Sequence, residues 1–168
     1  MRSDGLRGAL IYFLFPKLSW KYLIRLLIIA GLAFIVFGYL FRPMILNGGS
    51  MLPTYPESGF LFSWNGAFWF RTPQLGEVVI CRFTDDIYYL KRIVGVPGDV
   101  IEWRDGRLIR NGEVVDEPYV KLPCEWNSEP VKVEPGHYFV VGDNRSMNKR
   151  NHRHGQLLAR RIVGVPSW

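Results

Sequence analysis

Residues 87–96, IYYLKRIVGV, decide the fold of this chain. Tyrosine, isoleucine and valine fit a pleated, half-buried surface, so this stretch predicts a β-strand. Similar short runs recur on both sides of it, with turn signals between them. They lie at residues 76–83, 100–103, 107–115, 136–141 and 157–165.

Two turn signals indicate how these strands connect. Asn111-Gly112 stands between the runs RLIR and EVV, and Asn-Gly is a strong signal for a two-residue hairpin. Pro97-Gly98 marks a second turn. The sequence contains neither internal repeats nor low-complexity tracts. We therefore expect a mainly β fold, in which residues 42–168 form an antiparallel, barrel-like sheet domain behind one N-terminal transmembrane helix.

The helix is predicted by residues 22–41, YLIRLLIIAGLAFIVFGYLF, whose single charge is Arg25 near the start. A helix of about 20 such residues crosses the hydrocarbon core of a bilayer, which is ~30 Å thick. A secretory signal peptide is the alternative. However, the run is too long for the apolar region of a signal peptide, and no small-x-small cleavage site follows it directly. The sequence favours an uncleaved anchor.

The distribution of positive charge predicts the orientation of this anchor. Basic residues are concentrated before it and at its start, whereas Arg42 and then Arg71 are the first to follow it. The positive-inside rule then places a leader, residues 1–21, in the cytoplasm and residues 42–168 outside. Within the leader, residues 9–15 are too short to span a bilayer and are expected to lie in its interface.

The net charge of +6 does not indicate nucleic-acid binding. Much of the positive charge lies in the leader, where it attracts anionic lipid, and the other basic residues form no stripe interleaved with aromatics. Cys81 and Cys124 are too few for a metal site. An outside location permits a disulfide between them, but their spacing leaves both a disulfide and two free thiols open.

Residues 59–72, GFLFSWNGAFWFRT, concentrate six large aromatic side chains. Two interpretations remain open. The side chains pack into the core of the sheet domain, or they form a surface that dips into the lipid interface, where amphipathic aromatic rings are enriched.

Residues 48–54, GGSMLPT, contain the candidate nucleophile, Ser50. The two preceding glycines let the backbone approach a substrate carbonyl and aim N–H groups at an oxyanion. A serine hydroxyl also needs a base. The histidines His137, His152 and His154 are candidates, because a Ser-His-Asp triad is defined by geometry and not by chain order. Cationic neighbours of His152 and His154 favour neutral rings there.

Lys91 is a second candidate base. Period-two alternation puts it on the same face of its strand as Tyr89, Ile93 and Gly95. If that face points inward, desolvation lowers the pKa of the lysine and its neutral amine can accept the serine proton. The alternative is a solvated lysine on an edge strand, where it prevents sheets from pairing.

Three ordered motifs behind the anchor resemble those of the type I signal peptidases, membrane-bound Ser-Lys proteases that remove signal peptides from exported proteins. The motifs are Ser50-Met51-x-Pro53-Thr54, Tyr89-x-Lys91-Arg92-Ile93-Val94-Gly95-x-Pro97-Gly98-Asp99 and Gly142-Asp143-Asn144-Arg145.

The resemblance implies a role for each matching residue. Ser50 is expected to be the nucleophile and Lys91 the general base. Gly49, the backbone N–H of Ser50 and Met51 are expected in the oxyanion and substrate pocket. Position 48, where some members carry a hydroxyl, is glycine. The supporting residues are expected to be Tyr89, Arg92, Asp143, Asn144, Ser146 and Asn148.

The resemblance also implies a setting for the reaction. It implies no metal and no organic cofactor. The expected partners are the signal peptides of preproteins, the lipid bilayer and the protein translocation machinery. The expected location is the bacterial cytoplasmic (inner) membrane, which the chain crosses once.

The sequence departs from the family pattern after Arg145. Many relatives carry a Ser-x-Asp-Ser-Arg run, in which the first serine hydrogen-bonds the lysine. Without gaps, Asn148 takes that position, Arg150 replaces the aspartate and His152 replaces the arginine. Ser146 is an alternative source of an oxygen for Lys91.

Two other functions remain open at this point. The altered segment 146–154 allows a catalytically silent relative that binds signal peptides without cutting them. A Ser-Lys peptidase dedicated to one conjugation or pilus protein is the second alternative. Cytosolic self-cleaving repressors share the catalytic pair, but the anchor argues against them.

Overall fold

The N-terminal part of the chain forms an apolar helix. The computed structural model describes residues 19–84, 87–150 and 152–167. Helix α1, Trp20–Ile35, is capped by the Ser19 side chain, which accepts a hydrogen bond from the Tyr22 N–H, and a π-helical turn, Val36–Leu40, follows it. The candidate membrane span is Trp20–Leu40, with a mean hydropathy of 2.4. It starts two residues before the predicted anchor. Most of the predicted leader, including residues 9–15, lies outside the described residues.

The rest of the chain is β-structure, which confirms the predicted fold class, and the chain divides into two units between Tyr39 and Leu40. The strands are β1 Phe41–Asn47, β2 Ser58–Trp64, β3 Val78–Arg82, β4 Tyr88–Gly95, β5 Val100–Arg104, β6 Arg107–Arg110, β7 Glu113–Val114, β8 Ser128–Lys132, β9 His137–Val141, β10 Gly155–Leu158 and β11 Ile162–Ser167.

These strands form two antiparallel sheets. The larger has the order β1-β2-β11-β3-β4-β9-β10 and the smaller β7-β6-β5-β8. β4 lies inside the larger sheet, where Val79 of β3 is opposite Lys91, and Arg92 is opposite Val141 of β9. A lysine on β4 is therefore not on an edge strand, so that alternative for Lys91 is wrong.

Three strands lie where the sequence predicted none. β1 begins at Phe41, the last residue assigned to the anchor, and contains Pro43, which an edge strand tolerates. β2 occupies the first half of the aromatic segment. β8 reads SEPVK and is almost wholly exposed, so it carries no hydrophobic pattern. Its position at the edge of the smaller sheet explains this composition.

Three apolar clusters hold the sheets together. One lies between the two sheets and includes Trp103, Trp126 and Phe139; Cys124 packs against it. A second contains Cys81 and Ile93 on the larger sheet. The third is formed by Met51, Leu61, Ile80 and Leu90 and lies beneath the serine turn. Both cysteines are free thiols.

The aromatic segment divides between core and surface. Phe68 packs against the second cluster, and Phe62 and Trp64 are half-buried. Phe60, Trp69 and Phe70 are exposed, and Phe70 is 97% accessible. The core interpretation thus holds for part of the segment, and the exposed part leaves the lipid-interface interpretation a prediction.

Candidate active site

The candidate nucleophile lies in a tight turn whose backbone is held by hydrogen bonds from a neighbouring segment of the chain. Ser50 lies in the 3₁₀ turn Gly49–Met51 directly after β1, and Gly48 enters the turn with a φ of 128°, a conformation that favours glycine. The Asn144 backbone N–H donates to the Ser50 carbonyl at 3.0 Å, and its Nδ2 donates to the Gly49 carbonyl at 2.8 Å. These two bonds fix the backbone on which the Ser50 hydroxyl is mounted.

Lys91 reaches this hydroxyl from the middle of β4. Its Nζ lies 3.0 Å from Ser50 Oγ, and the residue is only 1% accessible. Burial lowers the pKa of the Lys91 ammonium to about 8, against the opposing effects of Cys81 and Asp143. A substantial fraction of the amine is therefore neutral in mildly alkaline solution, as a general base requires.

A buried ion pair lies next to the lysine. The Asp143 carboxylate is fully buried and accepts two hydrogen bonds from Arg92, at 2.8 and 2.6 Å, and one from Thr54 Oγ1 at 2.6 Å. Arg92 also donates to the Gly76 carbonyl at 2.7 Å. Because both charges are paired and hydrogen-bonded, the pair joins the lysine strand, the serine turn and the turn at 142–145.

The approach of the 142–145 turn to the serine depends on a glycine. A Cβ on Gly142 would lie 2.1 Å from the Ser50 carbonyl oxygen and 2.8 Å from His152 Nε2. No side chain fits between these atoms. Gly142 therefore permits the close contact through which Asn144 holds Ser50.

Among the described residues, the segment after Arg145 presents no side-chain oxygen to Lys91. Ser146 Oγ donates to Asn144 Oδ1 at 2.6 Å, and Asn148 Oδ1 accepts the backbone N–H of Arg150 at 3.0 Å. The Asn148 oxygen thus serves its own segment, whereas the Ser146 hydroxyl supports Asn144, which holds the serine turn. Among the described residues, the side chain that shares a hydrogen bond with Lys91 Nζ is Ser50.

His152, in the same segment, lies close to Gly142 and the serine turn. Its ring is 3% accessible, packs 5.0 Å from the Trp126 ring and lies beside Gly142. Burial lowers the pKa of His152 to about 3, and the charges of Lys91, His154 and Arg145 act in the same direction. Burial is the largest cause, and the charges that act on this ring belong to residues brought near it by the fold, not to the basic residues Lys149, Arg150 and Arg153 on which the prediction rested.

The described residues, 19–84, 87–150 and 152–167, do not assemble a Ser-His-Asp triad. The Ser50 hydroxyl meets Lys91, and His137 is on β9, where its Nδ1 faces Glu134 at 3.8 Å. His154 Nδ1 contacts the His152 carbonyl.

An apolar cleft opens beside Ser50. Its volume is about 160 Å³. One wall is the end of β1, the other is the start of β4, and the floor is the third apolar cluster, which includes Met51. Three strands, β2, β11 and β3, lie between β1 and β4 in the sheet order, so the sheet curls to bring β1 and β4 to one cleft. Tyr89 lines the cleft, with Lys91 Nζ 5.8 Å from its ring centroid.

Comparison with known proteins identifies the family. The family model "Signal peptidase, peptidase S26" matches residues 19–167. The chain belongs to this family. It is 34% identical over 162 residues to signal peptidase I of Bacillus amyloliquefaciens, a match that covers 89% of this chain and 83% of the relative. Signal peptidase I T of Bacillus subtilis is 36% identical over 150 residues, covering 82% and 77%.

A solved structure is also similar. A signal peptidase I of Enterococcus faecalis is 25% identical and superposes with a TM-score of 0.46, covering 56% of this chain and 97% of that one. As a signal peptidase family member, the chain is a serine peptidase, which is the class of enzyme that the motifs predicted.

Two residues that contact the candidate site had no signal in the sequence. Glu117 and Tyr119 follow β7 in a segment without regular strands, and they contact Arg145 and Arg92. Their sequence, DEPYV, is that of an ordinary loop. Only the fold places them behind the motif residues.

Proposed function

We propose that the chain is a membrane-anchored signal peptidase that cleaves signal peptides from exported preproteins, with Ser50 as nucleophile and Lys91 as general base. The observation that carries the proposal is the 3.0 Å contact between Lys91 Nζ and Ser50 Oγ within a buried site. A buried amine of lowered pKa beside a serine hydroxyl is the arrangement that activates a weak nucleophile.

The geometry supports acyl transfer. Neutral Lys91 takes the proton of Ser50 Oγ as the oxygen attacks the scissile carbonyl carbon, and the backbone N–H of Ser50 is the candidate donor to the oxyanion. Lys91, now an ammonium, protonates the leaving amine. It then removes a proton from the water that attacks the acyl-enzyme and releases Ser50. This arrangement argues against a catalytically silent relative, because the two groups proposed to touch reacting atoms are both present and in contact.

The cleft offers room for substrate side chains before the scissile bond. About 160 Å³ between β1 and β4, lined mostly by apolar residues, accommodates apolar groups. β1 is an edge strand of the larger sheet as described, so an extended substrate can add beside it through backbone hydrogen bonds. Small-x-small sequences are compatible with both features.

The bilayer is the second proposed partner. The span Trp20–Leu40 is apolar and none of its residues is buried within the protein. Ile45 and Phe60 are opposite each other on β1 and β2, and both are exposed. With Trp69 and Phe70 they provide apolar surface suited to lipid. The proposed topology has the N-terminus in the cytoplasm, the β unit outside and the anchor in a bacterial inner membrane, where preproteins emerge from the translocation machinery.

The proposal is tested with the full chain purified in detergent. A preprotein with a small-x-small site is incubated with the unmodified chain, Ser50→Ala and Lys91→Ala, and the products are identified by mass spectrometry. We expect one cut after the small-x-small site and none with either variant. A chain that binds the preprotein without cutting it, or a variant that still cuts, would contradict the proposed mechanism.

A further inference from the structure

A second buried ion pair supports the turn at 142–145 from the side opposite Ser50. The Arg145 guanidinium donates to the Glu117 carboxylate at 2.6 and 3.0 Å, and the two side chains are 1% and 9% accessible. Glu117 belongs to the loop between β7 and β8. A paired, hydrogen-bonded charge of this kind cannot lose one partner without leaving the other buried and uncompensated.

Arg145 links Glu117 to the serine turn. Its Nε donates to the Gly142 carbonyl at 2.7 Å, which closes the turn on itself. The same turn carries Asn144, whose two hydrogen bonds hold the carbonyls of Gly49 and Ser50. Glu117 is therefore two contacts away from the backbone of the nucleophile.

The same loop also reaches the lysine strand. The Tyr119 hydroxyl donates to Glu117 Oε1 at 2.7 Å, and the Arg92 guanidinium carbon lies 3.9 Å from the centroid of the Tyr119 ring. Such a short distance is a stacked cation–π contact. Arg92 adjoins Lys91 in the chain and binds Asp143. The contacts thus form a closed ring from Glu117 through Arg145, the turn, Asp143, Arg92 and Tyr119 back to Glu117.

We propose that Glu117 and Tyr119 are positioning residues of the peptidase, which hold the 142–145 turn and Arg92 in the register that keeps Ser50 Oγ against Lys91 Nζ. Neither side chain touches a reacting atom. The proposal rests on the proposed function for the reaction it concerns. A displacement of about 1 Å between nucleophile and base can cost about 100-fold in rate. If the ring of contacts that fixes both backbones is opened, we therefore expect kcat to fall and substrate binding to change much less.

The test compares Glu117→Gln and Tyr119→Leu with the unmodified full chain in detergent. Glu117→Gln keeps the shape and removes the charge that pairs with Arg145. Glu125→Gln is the matched control, since Glu125 lies in the same loop and is exposed. The measurements are kcat and KM for a preprotein peptide, normalised to the folded fraction, and the pH titration of the Lys91 Cε signal in chain labelled with ¹³C-lysine, assigned with Lys91→Arg.

We expect kcat to fall about tenfold or more in both variants, with KM within about twofold, and no change in Glu125→Gln. We also expect the Lys91 titration to move upward towards that of an ordinary lysine, because a loosened turn admits water. Unchanged kcat per folded molecule, or an effect on KM alone, would overturn the proposal. If Glu117→Gln does not fold, the kcat, KM and Lys91 titration of Tyr119→Leu decide the proposal. If the unmodified chain cuts no preprotein, the proposed function fails, and the Lys91 titration alone decides the inference, with an unmoved titration overturning it.

Discussion

The two sides of the candidate active site differ in how closely they keep the family pattern. On one side, the serine turn and strand β4 carry the motif residues, and the structure brings Ser50 and Lys91 to 3.0 Å. On the other, the segment after Arg145 has lost the motif, and Asn148 binds its own turn while His152 fills the space beside Gly142. We interpret the difference as a division between the proposed reacting groups, whose residue types match the family motifs, and the groups around them, whose types differ while they still hold the backbone of the site.

The largest expected effect is on the first side. Lys91→Met removes the proposed base, so we expect cleavage to fall by about 10³-fold or more. The same change should raise the free energy of unfolding at pH 7. The lysine pKa is about 8 in the folded chain against 10.5 for the ordinary group. Keeping this lysine charged in the folded chain at pH 7 therefore lowers the free energy of unfolding by on the order of 3 kcal/mol.

Urea unfolding at several pH values measures this second effect. The unfolded state binds more protons than the folded state between pH 8 and 10.5, so the unmodified chain gains stability as pH rises through that window. The advantage of Lys91→Met should therefore be greatest below pH 8 and shrink above it. A variant that is less stable than the unmodified chain at pH 7 would show that Lys91 is not desolvated. A variant that still cleaves would show that Lys91 is not the base.

Gly142→Ala tests the contact between the two sides. The added Cβ would meet the Ser50 carbonyl oxygen at 2.1 Å, so the turn must move away from the nucleophile. We expect about a 100-fold loss of kcat. Gly59→Ala is the control, because its nearest neighbour would be 3.6 Å away. Equal activity in the two variants would mean that the 142–145 turn has no part in placing Ser50.

His152→Phe examines the divergent side through its response to acid. The pKa of His152 is about 3 in the folded chain and about 6.5 when unfolded, so the unfolded state binds the extra proton between these values. The unmodified chain should lose about 2 kcal/mol between pH 7 and 5 on this account. The phenylalanine variant should lose correspondingly less, as measured by urea unfolding at both pH values. Identical losses would place His152 in contact with water.

The smallest effect is expected for Asn148→Ala and Ser146→Ala. Asn148 Oδ1 bonds within its own segment, and Ser146 Oγ donates to Asn144 Oδ1, whereas the Asn144 N–H groups that hold the serine turn stay in place, so kcat should stay within about threefold of the unmodified chain. Steady-state kinetics on a preprotein peptide provide the measurement. If Asn148→Ala instead lowered kcat by tenfold or more, the position in the motif would predict the role better than the hydrogen bonds do.

Much of the fold was predictable, because its central strands combine β-branched residues with turn signals. β4 and the Asn111-Gly112 hairpin are examples. β1 and β8 were not predictable, since they are edge strands whose sequences contain proline and whose side chains are mostly exposed. Their place in the sheet is set by pairing with distant residues. A single sequence does not display such pairing.

The candidate site was predictable only where a residue type is tied to the chemistry. Ser50 and Lys91 stand in ordered motifs and are brought together by the fold. Glu117 and Tyr119 lie in a loop of common composition, and what distinguishes them is contact with residues 25 or more positions away. The burial of His152, which is the main cause of its lowered pKa, likewise follows from packing against Trp126 and Gly142.

The pH dependence of kcat/KM for a preprotein peptide tests the central claim, that a neutral, buried Lys91 activates Ser50. This quantity reports the pKa of the base in the free enzyme. We predict that kcat/KM rises tenfold per pH unit on the acid side and levels off above a pKa of about 8. A profile that is flat from pH 6 to 9, or that levels off near the ordinary pKa of a histidine, would contradict it.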